Sequence, residues 1–135
     1  MDTNIQKLIT EIENNTLLWD DVTVGIHNMG GKEFLFRKKE IGHIHWNGDL
    51  DILFGKQLTN ELLKLNLVQQ HKYVPSEAIT YPVLREQNIP FAVSLLRFSY
   101  LIQQKKASAN NHQIINDIEV ELDKISFYPL VKHLI

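Results

Sequence analysis

Residues 39–54 read KEIGHIHWNGDLDILF, and the way this stretch bends decides the fold. Asn47-Gly48 between alternating apolar residues marks a β-hairpin. Loop length then sets the register, and a one-residue slip moves every side chain to the opposite face. A two-residue loop of Asn47-Gly48 places Trp46 opposite Asp49 and His45 opposite Leu50, so both faces mix polar and apolar groups. A three-residue loop of Trp46-Asn47-Gly48 puts glycine in the left-handed position such a bend favours. His45 then pairs with Asp49, His43 with Asp51, Ile44 with Leu50 and Gly42 with Ile52. One face becomes Gly42, Ile44, Leu50, Ile52 and Phe54. The other becomes His43, His45, Asp49 and Asp51, with Ile41 and Leu53 at its far end. The second register separates the two chemistries and is the one expected.

Working outward, Val22, Val24 and Ile26 alternate with Thr23, Gly25 and His27, a strand pattern. Asn28 to Gly31 is a turn, and Glu33 to Arg37 returns. With the hairpin, this makes four antiparallel strands in succession. Before them, Ile5, Leu8, Ile9 and Ile12 recur at helical spacing behind the cap residues Asp2-Thr3-Asn4, and this helix should end near Glu13-Asn14-Asn15. After them, Leu58, Leu62, Leu63 and Leu65 mark a short amphipathic helix. Pro75 and Pro82 interrupt an extended segment of about residues 72–84, which fits an edge strand or an irregular crossing. Asn88 can cap a helix with Pro90 in its first turn, lined by Phe91, Leu95, Phe98 and Ile102. Ile115, Ile118, Leu122 and Ile125 form a stripe on a last helix that Pro129 should break. The expected fold is a single α+β domain: an antiparallel sheet of about five strands with helices mainly on one face. Its parts are a domain over 1–104, a linker over 105–111 and a helical extension over 112–135, packed on the domain or on a partner.

The chain has 135 residues, with 44% hydrophobic and 22% charged, ordinary for a soluble globular protein. Sixteen acidic and fourteen basic residues give a formal charge of −2, which disfavours a general nucleic-acid surface. No cysteine is present, so disulfides and thiolate metal sites are excluded. MDTNIQKLITEIENN lacks the basic start and apolar run of a signal peptide, and no run approaches the ~20 apolar residues of a membrane span. The expectation is a cytoplasmic protein without membrane or nucleic-acid partners. The terminal helical stripe is either core packing or a homodimer contact.

The chemistry-bearing residues cluster on the polar hairpin face. Histidines two apart on a strand point the same way, and a histidine oriented by an aspartate is a plausible general base. His43, His45 and Asp51 are therefore the first candidates for a catalytic site. Glu40 is assigned a lesser part, because regular alternation puts it on the other face. His71 begins the segment expected to pass near the sheet edge and could join them. Two imidazoles and a carboxylate could also hold a metal, but a solvated face with His–Asp pairs accounts for the pattern as well, so no metal is assigned. No glycine-rich phosphate loop, serine elbow or zinc-protease helix is found, and no cofactor is assigned. Trp19 and Trp46 could stack on a flat ligand or cover the core edge. Arg97 could clamp an anion or pair with a surface acid.

Several stretches together resemble a known family: Gly30-Gly31 with Glu33-Phe34, the run Lys39-Glu40-Ile41-Gly42-His43-Ile44-His45, Asp51, His71 with Pro75, and Leu95-Leu96-Arg97-Phe98-Ser99-Tyr100. They resemble the luciferase domain, named from luciferases of bioluminescent fungi and including many small bacterial proteins, over about Trp19 to Ile102. The resemblance implies oxidation of a hydroxylated pyrone by dioxygen without a separate cofactor, at Glu40, His43, His45, Asp51 and His71. The chain departs from the pattern at Glu77-Ala78-Ile79, where bacterial members carry a tryptophan, and light emission is not implied. The element order is also similar to the small double-wing family, a likeness of architecture alone. Two functions follow: a small-molecule site that binds or oxidises a flat oxygenated ligand, or a non-catalytic interaction module.

Overall fold

The computed structural model describes residues 3–135, apart from the side chains of Thr3 and Met29. The expected cap at Asp2 lies outside the described residues. The first helix, α1 (Thr3–Thr16), buries Ile5, Leu8, Ile9 and Ile12, the face their spacing dictates. Strands β1 (Val22–His27), β2 (Gly31–Phe36), β3 (Lys39–Ile44) and β4 (Asp49–Leu53) follow as an antiparallel meander. After them come α2 (Lys56–Lys64), a two-residue β5 (Gln69–Gln70) and β6 (Ala78–Pro82). The sheet has six strands in the order β1-β2-β3-β4-β6-β5, one more than the sequence pattern counted.

The β3–β4 hairpin takes the three-residue loop. His43 pairs with Asp51 and Ile44 with Leu50, while His45 N donates to Asp49 O at 2.9 Å and Gly48 N to His45 O at 2.9 Å. Gly48 has φ +93, a conformation that costs any residue with a Cβ. The apolar face Ile44, Leu50 and Ile52 is fully buried. It packs under α3 (Ile89–Ala107), which contacts both β3 and β4. The Phe54 and Phe98 rings meet at 5.6 Å between centroids.

Four local expectations are corrected. Ile41, expected beside the histidines, is 1% exposed in the core. Phe34 pairs with Gly42 but Leu35 with Glu40, so Ile41 is an extra residue in a β-bulge that reverses the alternation before Gly42. The proline-containing segment is not an edge strand. Ala78–Pro82 lies between β4 and β5, and β5 reaches only Thr80 and Ile79, so Pro82 ends the strand without interrupting that ladder. Asn88 does not cap α3 through its side chain. Its Oδ1 accepts from Leu84 N and Arg85 N, and its Nδ2 donates to Tyr81 Oη at 3.2 Å. Pro129 starts a short helix α5 (Tyr128–Val131) rather than breaking one, because α4 (His112–Leu122) has already ended.

Ile118, Leu122, Ile125, Phe127, Tyr128 and Val131 are buried in the same cluster as the residues of α3. Glu119 fastens this end, accepting from Lys105 Nζ at 2.9 Å and Tyr128 Oη at 2.9 Å. Helices thus cover one face of the sheet, and its other face carries the histidines. No helix among the described residues is long and apolar enough to cross a membrane.

Candidate functional site

The polar face is built by strand alternation on five neighbouring strands. His27 pairs with Gly31, Gly25 with Glu33, Glu33 with His43, His43 with Asp51, and Asp51 with Thr80. Directly paired residues share a face, so one row of chemistry crosses strands that lie far apart in the sequence. All five residues expected at the site, His43, His45, Asp51, Glu40 and His71, meet there.

Asp51 is the centre. Its side chain is 7% exposed, and Oδ2 lies 2.7 Å from His45 Nε2, 3.4 Å from His43 Nε2 and 3.3 Å from His71 Nε2. Thr80 Oγ1 donates to its other oxygen at 2.5 Å. The expected arrangement of two separate His–Asp pairs is thereby replaced by one carboxylate serving three imidazoles. Asp49 is drawn off by its own turn: its N–H donates to Asn47 Oδ1, and Asn47 Nδ2 donates to its Oδ2 at 3.3 Å. The His45 ring therefore crosses diagonally to Asp51, within reach for a long side chain.

Glu40 reaches the site after all. Its Oε2 is 3.1 Å from His43 Nδ1, because the bulge at Ile41 returns Glu40 to the histidine face. His43 consequently has a carboxylate at each ring nitrogen. The bonds to Asp51 and then to Glu40 outweigh the burial that opposes charge, and they raise its pKa to about 9. Burial pushes the Asp51 carboxyl up, but hydrogen bonds from His43, Thr80 and His45 prevail and hold it down at about 2. At neutral pH the centre is an imidazolium bridging two carboxylates.

His71 is fixed differently. Its Nδ1 accepts from Tyr73 N at 3.0 Å and Val74 N at 3.1 Å, so the ring proton sits on Nε2 and points to Asp51. His71 positions the carboxylate and has no free nitrogen.

Three participants escaped the sequence reading: His27, Glu33 and Thr80. His27 stacks on His43 with centroids 4.7 Å apart and meets His45 edge-on at 5.2 Å. Burial first, and then the neighbouring His43 and His45 charges, lower its pKa from 6.5. The available signal was its alternation with Thr23 and Gly25 on β1, which put it on a polar face without saying whose. Strands two apart are separated by ~9–10 Å, so these rings meet only by leaning across β2. Gly31, paired with His27, puts no side chain between them, and a Cβ there would strike the β3 backbone, 2.5 Å from Ile44 O.

Two side chains considered as ligand contacts are engaged on the helical side instead. The Arg97 guanidinium lies 5.1 Å from the Trp19 ring centre and 3.9 Å from Glu121, and Trp19 packs on Tyr100. Trp46 is exposed at the hairpin tip. A recess of about 680 Å³ between Phe54, Leu58, Ile102 and Leu134 contains no histidine. It has no share in the imidazole cluster.

The family model described as luciferase domain matches residues 38–99. The match bears out the resemblance over those residues and takes in Glu40, His43, His45, Asp51 and His71, but not His27. No curated protein and no solved structure matches the chain.

Proposed function

We propose that the histidine face, most of it within the residues 38–99 that match the luciferase domain model, binds a small, flat, oxygenated molecule and carries acid–base chemistry on it. One observation supports this above the rest: three imidazoles, two from the β3 side of the hairpin and one from the loop after β5, converge on the buried Asp51. A buried ionic cluster is a poor way to stabilise a fold, because desolvation takes back most of its attraction. An apolar pair would hold β3 to β4 at least as well. Perturbed titratable groups gathered on one accessible face are characteristic of functional sites.

The residues divide into roles. His43, charged and held between Glu40 and Asp51, is not the base. Its charge offsets the two carboxylates and keeps Asp51 ionised behind His45. His45, oriented by Asp51 at 2.7 Å, takes the proton from an acidic hydroxyl of the ligand. His71 and Thr80 keep Asp51 in place. The oxidation by dioxygen that the resemblance implies would act on the ligand anion so formed.

The test is a titration of the protein with a hydroxylated pyrone, following the ultraviolet difference spectrum of its anion. A saturable anion signal that weakens in His45→Gln and in His43→Gln supports the reading. No signal, or an unchanged one in both variants, ends it.

A further inference from the structure

We propose that His27, His43 and His45 form a three-imidazole site for a borderline divalent transition metal, Zn²⁺ or Co²⁺, with Glu40 and Asp51 as the carboxylates behind it. Each histidine offers one ring nitrogen, and the three nitrogens lie within 4.8 Å of one another. A tetrahedral ion with bonds of ~2.0–2.1 Å wants them ~3.3 Å apart, up to ~1.5 Å closer than they stand, a change that ring rotations supply. All three rings are half-buried, and the β1-β2-β3 order with Gly31 in the middle strand is what gathers them.

The surroundings fit a cation. Metal-bound histidines ordinarily donate their second ring N–H to a carboxylate, which fixes tautomer and orientation. Glu40 stands 3.1 Å from His43 Nδ1, so Nε2, which faces Asp51 at 3.4 Å, is the nitrogen that turns to the ion. Asp51 stands 2.7 Å from His45 Nε2, leaving Nδ1 for the ion. Glu33, paired with His43 across β2, adds a third negative charge on the same face. His71 stands outside the group, its ring held by two backbone N–H donors on Nδ1.

His43 must release the proton that its Nε2 shares with Asp51. The ion then replaces that charge, so Asp51 and Glu40 keep a cationic neighbour and binding releases protons. Imidazole donors without thiolate suit Zn²⁺, Co²⁺ or Ni²⁺ rather than Ca²⁺ or Mg²⁺. Three protein ligands leave a coordination position open, as catalytic rather than structural zinc sites do. This site shares His43 and His45 with the small-molecule reading but stands on His27, which that reading does not use; the acid–base roles belong to the metal-free chain.

The test uses the full chain without an affinity tag, stripped with a chelator and titrated with Zn²⁺ by calorimetry and with Co²⁺ by visible absorption. One ion per chain is expected, with binding lost in His27→Ala and His45→Ala and weakened ~10–100-fold in Glu40→Gln. His112→Ala, at the exposed start of α4, should bind as the unaltered chain does. Absence of stoichiometric binding, or a His27→Ala variant that binds normally, overturns the proposal. Circular dichroism checks each fold. Should a variant not fold, imidazole NMR of the unaltered chain with Zn²⁺ decides. Shifts at His27, His43 and His45 support the site, and shifts confined to His112 or His133 refute it. Failure here with the pyrone signal intact would remove the metal and leave the acid–base reading standing.

Discussion

Glu40 Oε2 and His43 Nδ1 lie 3.1 Å apart although the two residues are three positions apart on one strand. On a regular strand that spacing points side chains to opposite faces. The bulge at Ile41 cancels the mismatch, sends Ile41 into the core and gives His43 its second carboxylate. The charge state of the site therefore rests on one extra residue in β3.

Glu40→Gln should test this link directly. The amide keeps the shape and removes the charge. The His43 titration midpoint should fall from about 9 yet stay above 6.5, because Asp51 remains. NMR titration of the imidazole signals measures it, and an unchanged midpoint would show that Glu40 does not hold the proton.

Stability should decline on the alkaline side. The folded pKa of His43, about 9, is above its ordinary 6.5, so its contribution is complete below about 6.5 and fades as pH rises through 9. At ~1.4 kcal/mol per unit this amounts to on the order of 3 kcal/mol at most. Asp51 has the opposite sense: its contribution is complete above 3.8 and fades as pH falls through about 2. The two share one ion pair and do not add. His27, held below 6.5, subtracts on acidification below that pH. Thermal denaturation between pH 6.5 and 9 should show a falling midpoint, and His43→Gln should flatten the slope.

Asp51→Asn removes the acceptor of three imidazoles while keeping a carbonyl for Thr80 Oγ1. Breaking a buried ionic centre from one side should cost ~3–5 kcal/mol, read from urea unfolding at neutral pH. The cost should shrink in a His43→Gln background, where less charge is stranded. Strict additivity in that double-mutant cycle would mean that the two residues do not interact.

Gly48→Ala should weaken the hairpin that presents the histidines. The residue sits at φ +93, and a Cβ would lie 2.3 Å from Val83 O, whose own N–H donates to Gly48 O at 2.8 Å. Left-handed strain of ~1–2 kcal/mol adds to the movement forced on β6, so a loss of ~2 kcal/mol or more is expected in urea unfolding. A loss below half a kcal/mol would show that the turn can relax.

Much of the sheet was legible because its rules are local. Residues 39–54 carry turn chemistry at Asn47-Gly48 and period-two alternation on either side, which together select the three-residue loop and place His43 opposite Asp51. The burial of Ile44, Leu50 and Ile52 under a helix bearing Phe98 follows from the same alternation. Helical spacing likewise exposed the buried face of α1. The bulge was not legible: nothing in Glu40-Ile41-Gly42 taken alone says which residue β2 will skip. Tyr128–Val131 was missed for a similar reason, since a proline ends one helix or opens the next according to what packs around it.

The chain by itself therefore determined the hairpin, its register and the shared face of His43, His45 and Asp51. Steric turn preferences and alternation act within a few residues and leave a readable trace. Only the tertiary structure decided that His27 would lean over Gly31, that Thr80 and His71 would close on Asp51, and that Glu40 would change faces. Those contacts join residues 16 to 29 positions apart, or depend on how one strand registers against its neighbour. Their geometry is fixed by packing of the whole sheet under α1 and α3, a global constraint that no short stretch of sequence contains.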